Sequence, residues 1–161
     1  MIKNGDRLPD ATFHVMTDDG PGALTTADVF DGKTVVLVAV PGAFTPTCHM
    51  NHLPGFVENA KAIMAKGVDT IAVTAVNDVF VMKVWQDASG AGDTIQFLAD
   101  GNGSFAEAVG LTLDGSGFGL GTRSQRYAML VKDGVVEILN VEDVASNADQ
   151  SSAASLLAAM G

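Results

Sequence analysis

The only cysteine of the chain, Cys48, lies in surroundings that point to thiol chemistry. The loop before it is stiff, because Pro41 and Pro46 each fix one backbone angle. Gly42 permits close approach of the backbone to a ligand. Thr45, three residues before the cysteine, can cap a helix and can hydrogen-bond to a thiol or a thiolate. These residue types and spacings predict a reactive thiol in a rigid loop.

The segments on either side of this loop determine where the thiol is placed. Residues 35–40 form a valine-rich apolar run, typical of a buried strand. Residues 48–66 have a helical pattern, so Cys48 is expected in a helix's first turn, where unpaired N–H groups and the helix dipole favour negative charge. A thiol there loses its proton more readily, and the thiolate is the nucleophile. The alternative is a cysteine packed as a small apolar residue.

Composition restricts the class of protein. The chain has 161 residues, 47% of them apolar, which predicts one globular domain over residues 1–161. A formal net charge of −10 argues against nucleic-acid partners and anionic membrane surfaces. A single cysteine cannot form an internal disulfide. The sequence shows neither a signal-peptide pattern nor an apolar run of membrane-spanning length, so we expect a cytoplasmic protein.

The order of predicted elements indicates the fold. Strands and helices alternate up to Gly110, a glycine-rich loop follows at 113–121, and a β-hairpin and a last helix end the pattern. Alternation implies parallel pairing and the hairpin adds antiparallel strands. The sequence therefore predicts an α/β, thioredoxin-like three-layer sandwich with a mixed central sheet. The predicted strands are 11–16, 34–40, 68–76, 94–98, 127–131 and 135–139.

Several local signals set the predicted helix ends. Thr25 and Asp28 resemble a capping box, and Ser104 with Glu107 forms another. Asn77 is the predicted N-cap of a helix that runs to residue 87. Pro54 is expected to break the helix that carries Cys48, leaving a longer helix over 55–66. The last helix is predicted over residues 147–160.

Two further patterns have competing interpretations. Cys48 and His52 are spaced i, i+4, and with His49 they suggest a metal site, but only His14 remains as a further histidine and no carboxylate completes the set, so we predict no metal. His52 is also a candidate base for Cys48 in a hydrolase dyad. For His52 we prefer the interpretation of a hydrogen-bonded packing residue. The glycines at 115–119 lack the flanking strand and helix of a nucleotide-binding loop and predict only a loop.

Arg126 stands out because basic residues are few. It precedes the apolar strand at 127–131. One interpretation is a solvated strand end; the other is a guanidinium near the active site, where it would stabilise a thiolate and bind oxygen atoms. Spacing alone leaves both open.

The segment from Pro41 to Cys48 matches the Pro-x-x-x-Thr-x-x-Cys signature of peroxiredoxins. Its continuation through His52-Leu53-Pro54-Gly55-Phe56 resembles the peroxiredoxin-five (type II, atypical) subfamily. The resemblance extends to residues 76–81 and to Arg126-Tyr127-Ala128-Met129, and so covers nearly the whole chain.

The resemblance implies a thiol-dependent peroxidase that reduces hydrogen peroxide and alkyl hydroperoxides. Cys48 would be the peroxidatic cysteine, with Thr45, Arg126 and Pro41 as its catalytic partners. Gly42, Phe44 and Cys48 are the expected substrate contacts. The product at the sulfur is a sulfenic acid. No cofactor is expected beyond an external thiol.

The chain departs from relatives that carry a second, resolving cysteine. In such relatives the resolving cysteine lies near the chain end or in the strand around Val73. Here position 73 is a valine and residues 141–161 include no cysteine, so an outside thiol must resolve the sulfenic acid. The resemblance suggests glutathione, glutaredoxin or thioredoxin as the reductant, and a homodimer. The alternative function is a non-enzymatic peroxide sensor that signals through oxidation of Cys48. A disulfide reductase is disfavoured because Cys-x-x-Cys is absent.

Overall fold

A seven-stranded mixed sheet lies at the centre of the computed structural model, which describes residues 1–161. Its strands are β1 (Thr12–Thr17), β2 (Gly20–Thr25), β3 (Thr34–Ala39), β4 (Thr70–Ala75), β5 (Gln96–Ala99), β8 (Tyr127–Lys132) and β9 (Val135–Val141). They lie in the order β2-β1-β5-β4-β3-β8-β9, with β3, β4 and β5 parallel and the other neighbours antiparallel. Two short strands, β6 (Thr112–Asp114) and β7 (Thr122–Ser124), form a separate ribbon.

Helices cover both faces of the sheet, because side chains alternate along each strand. On β3, Val36 and Val38 face a core shared with Cys48, while Val35 and Leu37 face the opposite core. The helices are α1 (Thr26–Phe30), a π-helix (Cys48–His52), α2 (Leu53–Glu58), α3 (Ala60–Met64), α4 (Val79–Ser89), α5 (Ser104–Val109) and α6 (Ala153–Met160). The first core is covered by α2, α3, α4 and α6, and the second by α1 and α5. The predicted thioredoxin-like three-layer architecture is confirmed.

Three features differ from the predicted elements. β2 is absent from the predicted strands and begins at Gly20, where its backbone pairs with β1 in register from Thr12↔Thr25 to Thr17↔Gly20. The expected loop at 113–121 contains most of β6 and a 3-10 turn, Ser116–Phe118. The last helix begins only after Ser152, whose hydroxyl accepts from the N–H of Ser155.

Two predicted caps are also displaced. The N-cap of α4 is Asp78 rather than Asn77, and the Asp78 carboxylate accepts from the N–H of Val81. The predicted capping box of Ser104 and Glu107 does not cap α5. The carboxylate of Asp100 accepts from the N–H groups of Phe105 and Ala106, the second and third residues of the helix, instead. The capping box at Thr25 is present as predicted.

None of the helices is long and apolar enough to cross a membrane.

Candidate active site

Cys48 lies at the start of the helical segment that follows β3, as the sequence predicts, but its first turn is a π-helix. The N–H of Leu53 donates to the carbonyl of Cys48, an i→i−5 bond. The predicted break at Pro54 does not occur, and the chain continues into α2. The wider π-turn lies directly before Pro54, and it accommodates a proline, which has no N–H to donate within the helix. The interruption comes later, at Asn59, with φ −97° and ψ 7°.

The sulfur of Cys48 is buried and lies within hydrogen-bond distance of two side chains. Arg126 Nη2 donates to Sγ over 2.8 Å, and the Thr45 hydroxyl lies 2.7 Å from Sγ. Because a guanidinium has only donors, the sulfur is the acceptor in the first contact. The guanidinium thus places a fixed positive charge and an N–H donor directly at the sulfur.

The Thr45 hydroxyl has two possible acceptors and one proton. Its oxygen lies 2.8 Å from the carbonyl oxygen of Gly42 and 2.7 Å from the sulfur of Cys48. A thiol can donate to Thr45 while Thr45 donates to Gly42, whereas a thiolate accepts the Thr45 proton. The same three groups therefore serve both protonation states of Cys48.

Each of the three guanidinium nitrogens of Arg126 has a hydrogen-bond partner, which fixes the side chain in place. Nε donates to the carbonyl of Ala145 over 2.8 Å, and Nη1 lies 2.9 Å from Nδ1 of His52. The side chain is buried, although Arg126 directly precedes β8, whose first residue is Tyr127. Of the two sequence interpretations of Arg126, the structure shows the guanidinium beside Cys48 and not a solvated strand end.

The loop before Cys48 is packed tightly against a second arginine. Arg123 Nη1 donates to the carbonyl of Pro41 over 3.4 Å, and a β carbon at Gly42 would lie only 2.9 Å from that same nitrogen. The side-chain amide oxygen of Asn77 accepts from the N–H of Ala43 over 2.9 Å. Gly42 thus has the close approach that the sequence predicted, but to the protein's own Arg123, which sequence reasoning missed.

Phe44 lies at the exposed rim of the site. Its φ of 64° is in the left-handed region, which is uncommon for an aromatic residue. Its ring lies 5.3 Å from the ring of His49, and 43% of its surface is exposed. His49 in turn accepts through Nδ1 from the indole N–H of Trp85 over 3.0 Å. The phenyl ring is thus partly exposed beside the loop that precedes Cys48.

His52 contacts Arg126 instead of Cys48. Its Nε2 lies 2.8 Å from the carbonyl oxygen of Ser151, and its Nδ1 is the acceptor for Arg126. The pKa of His52 is lowered to about 4, mainly by burial and also by the positive charge of Arg126, against the raising effect of the hydrogen bond to Ser151. The imidazole is therefore neutral at pH 7 and its one lone pair is occupied. This geometry supports the packing interpretation and leaves no base for a hydrolase dyad.

No three histidine, cysteine or carboxylate side chains lie close enough together to hold a metal ion. The arrangement instead combines a buried sulfur nucleophile, a fixed positive charge and a hydroxyl that can donate or accept. Such a site can attack a small electrophile and stabilise negative charge on the atom that leaves.

Known proteins resemble this chain in sequence and in fold. The sequence profile of the Redoxin family matches residues 3–157. Peroxiredoxin-2E-2, chloroplastic, of Oryza sativa subsp. japonica is 50% identical over 148 residues, covering 88% of this chain and 65% of that protein. Peroxiredoxin-2B of Arabidopsis thaliana is 45% identical over 144 residues, covering 88% of each. The chain spans less than two thirds of the length of the first of these relatives.

A solved structure is similar over the whole chain. Reduced Prx3 of Vibrio vulnificus, in complex with hydrogen peroxide, is 50% identical, covers 100% of both chains and has a TM-score of 0.94. At that identity and coverage the likeness extends to the sequence as well as to the fold.

Proposed function

Because the chain belongs to the Redoxin family, as a peroxiredoxin with a single cysteine, we propose that it is a thiol-dependent peroxidase. The substrates are hydrogen peroxide and small alkyl hydroperoxides. The observation that carries this proposal is the convergence of Arg126 and Thr45 on the Cys48 sulfur, at 2.8 and 2.7 Å. The relative from Vibrio vulnificus, whose structure contains hydrogen peroxide, supports the substrate class.

The first step transfers one oxygen atom to the protein. The Cys48 thiolate attacks one oxygen of the hydroperoxide, an S–O bond forms and the O–O bond breaks. The electron pair of that bond leaves with the distal oxygen, which takes up a proton and departs as water or an alcohol. The sulfur is left as a sulfenic acid. Arg126 and the Thr45 hydroxyl align both oxygens and stabilise charge on the leaving one.

The second step needs a thiol from outside, because Cys48 is the only cysteine. A thiol attacks the sulfenic sulfur, water leaves and a mixed disulfide forms. A second thiol then attacks the donor's sulfur in the mixed disulfide, a disulfide forms between the two donor sulfurs, and Cys48 is released in its reduced form. We propose glutathione, alone or with a glutaredoxin, or thioredoxin as the source of these thiols. No cofactor takes part in either step.

Two further proposals concern assembly and place. We propose a homodimer, which is supported by the exposed apolar pair Phe80 and Val84 on one face of α4. A cytoplasmic location stays a prediction from the sequence; the relative from Oryza sativa is named as chloroplastic.

A peroxide sensor is the alternative function, and consumption of peroxide distinguishes the two. With an excess of peroxide and thiol, an enzyme consumes many equivalents per chain, whereas a sensor consumes about one per Cys48. We would follow consumption of hydrogen peroxide and of an alkyl hydroperoxide with glutathione, glutathione plus glutaredoxin, and thioredoxin. Turnover with any of them supports the enzyme and identifies its reductant. Consumption that stops after about one equivalent with all three contradicts it.

A further inference from the structure

His52 makes two hydrogen bonds whose directions are set by its partners. Arg126 Nη1 carries only hydrogens, so Nδ1 of His52, 2.9 Å away, must be the acceptor. The carbonyl oxygen of Ser151 has no hydrogen, so Nε2, 2.8 Å away, must carry the proton. The ring is thereby fixed as the neutral, Nε2-protonated tautomer. It is buried, with an edge-on contact to the ring of Phe56, whose centroid is 5.5 Å away.

The carbonyl of Ser151 belongs to residues 142–151, which we call the strap. Strap carbonyls accept from three side chains around the site: Arg126 Nε donates to Ala145, the Thr47 hydroxyl to Ser146, and His52 to Ser151. The strap thus lies against the π-helix and the guanidinium together.

The strap is closed on itself by Glu142. One carboxylate oxygen of this buried side chain accepts from the N–H of Ser151 at 2.5 Å and from its hydroxyl at 2.6 Å. Burial raises the pKa of Glu142, but hydrogen bonds from the side chain and backbone of Ser151 and from two further backbone N–H groups outweigh it, so the pKa lies below its usual value. The N–H of Glu142 donates to the carbonyl of Arg126, which anchors the other end of the strap. Ser151 is thereby a fixed point for the His52 ring.

We propose that His52 is a positioning residue for the reaction at Cys48. Its neutral ring orients the Arg126 guanidinium so that Nη2 points at the sulfur, and it transmits the fixed position of the strap to that guanidinium. This inference rests on the proposed function, because the reaction affected is oxidation of Cys48 by peroxide.

Protonation of His52 would remove this support. A positively charged imidazole has no lone pair for Arg126 and would repel it. The ionisable groups that face His52 are Arg126, directly before β8, and Glu142 from the strap, with Cys48 one turn earlier on its own helix. Burial, which lowers the pKa of His52 to about 4, keeps the ring neutral over the physiological range.

The test measures the rate at which hydrogen peroxide oxidises the reduced protein, followed by the fluorescence of Trp85. This is the only tryptophan, and its indole N–H donates to His49, the residue after Cys48. Four variants are compared with the parent: His52→Leu, His52→Asn, Arg126→Ala and the double variant His52→Leu/Arg126→Ala. His14→Asn, at an exposed site on β1, is the matched control.

We expect His52→Leu to slow oxidation roughly 10- to 100-fold, since it leaves a buried Arg126 donor without a partner. His52→Asn places an amide oxygen where Nδ1 was and should keep the rate within about threefold of the parent. In the Arg126→Ala background, His52→Leu should have no further effect, because His52 acts through Arg126. An equal loss in both backgrounds, or no loss in either, would overturn the proposal.

A second measurement covers the case in which His52→Leu does not fold. Nitrogen NMR of the parent at pH 7 should show His52 protonated at Nε2 and unprotonated at Nδ1. An Nδ1-protonated or doubly protonated ring would overturn the inference. If the parent itself fails to react with peroxide, the proposed function fails instead, and the two failures are thus distinguishable.

Discussion

Arg126 and Cys48 are 78 residues apart in the sequence, yet Nη2 of the arginine donates to the sulfur of the cysteine over 2.8 Å. The contact follows from sheet topology. Ala39, the last residue of β3, pairs with Tyr127 on β8, so the loop leaving β3 and the residue entering β8 lie at the same end of the sheet. Each strand delivers one half of the site.

Removing the guanidinium should slow oxidation of Cys48 by peroxide. We expect Arg126→Ala to lower the second-order rate constant about 100-fold or more, as expected for loss of a preorganised donor to developing charge. The rate constant of Arg126→Lys should lie between those of the parent and Arg126→Ala, because lysine keeps the positive charge but not the fork of N–H donors. Arg7→Ala, an exposed arginine bonded only to the carbonyl of Asp133, is the control in a stopped-flow comparison. Equal rates for Arg126→Ala and Arg7→Ala would contradict the assignment.

The hydroxyl of Thr45 should matter more than its methyl group. Thr45→Val keeps the shape of the side chain but removes the donor 2.7 Å from the sulfur, and we expect peroxide oxidation to slow roughly 10-fold. Thr45→Ser keeps the hydroxyl and should stay close to the parent. The stopped-flow assay measures both, and a Ser variant as slow as the Val variant would count against a hydrogen-bonding role.

Gly42 should not tolerate a side chain, whereas Gly55 should. An added β carbon at Gly42 would lie 2.9 Å from Arg123 Nη1 and 3.2 Å from Thr45 Cγ2. We expect Gly42→Ala to shift Thr45 and to slow oxidation several-fold. At Gly55, within α2, nothing lies within 4 Å, so Gly55→Ala should raise the free energy of unfolding by about 0.5–1 kcal/mol at an unchanged rate. Denaturant melts and peroxide rates for the two variants provide the comparison; unchanged kinetics in Gly42→Ala would show that the contact is unimportant.

Stability should fall in acid because of His52. In the unfolded chain its pKa is near 6.5 and in the folded protein about 4, so the unfolded state binds the proton first as the pH falls. The stabilisation is therefore complete above about pH 6.5 and is lost progressively towards pH 4, by about 3 kcal/mol in total.

The measurement is the free energy of unfolding of the parent and of His52→Asn from pH 7 to 4, with His14→Asn as the control. The difference between the parent and His52→Asn should change with pH in this window, in the direction of relative loss for the parent at low pH. A difference that is independent of pH would contradict the buried, neutral histidine.

Local sequence signals predicted the strand-to-helix position of Cys48, because a valine run, two prolines and a helical pattern are adjacent in the chain. The same kind of signal failed at Ser104, where the carboxylate of Asp100 satisfies the helix N–H groups first. The predicted helix break at Pro54 also failed, because a π-turn before Pro54 accommodates a residue without an N–H donor. Short local patterns such as a capping box or a single proline do not include the Asp100 carboxylate or the π-turn.

Contacts between distant segments were beyond the sequence pattern. The bond of His52 to Arg126 joins residues 74 apart, and the contact of Arg123 with Pro41 joins residues 82 apart. The first depends on the pairing of β3 with β8 and on the strap, and the second on the ribbon that carries Arg123; residue spacing encodes neither. Arg126 was placed by resemblance to a family, whereas spacing alone left it open.

The central claim, that Cys48 is oxidised by peroxide and resolved by an outside thiol, is tested most directly by intact-mass spectrometry. The parent and Cys48→Ser are treated with one equivalent of hydrogen peroxide, with and without glutathione. We predict one added oxygen atom on the parent without glutathione, a single glutathione adduct with it, and no change in Cys48→Ser; excess peroxide alone should carry the parent on to two added oxygens. A disulfide-linked dimer as the main product in both samples, or an unmodified parent, would contradict the account.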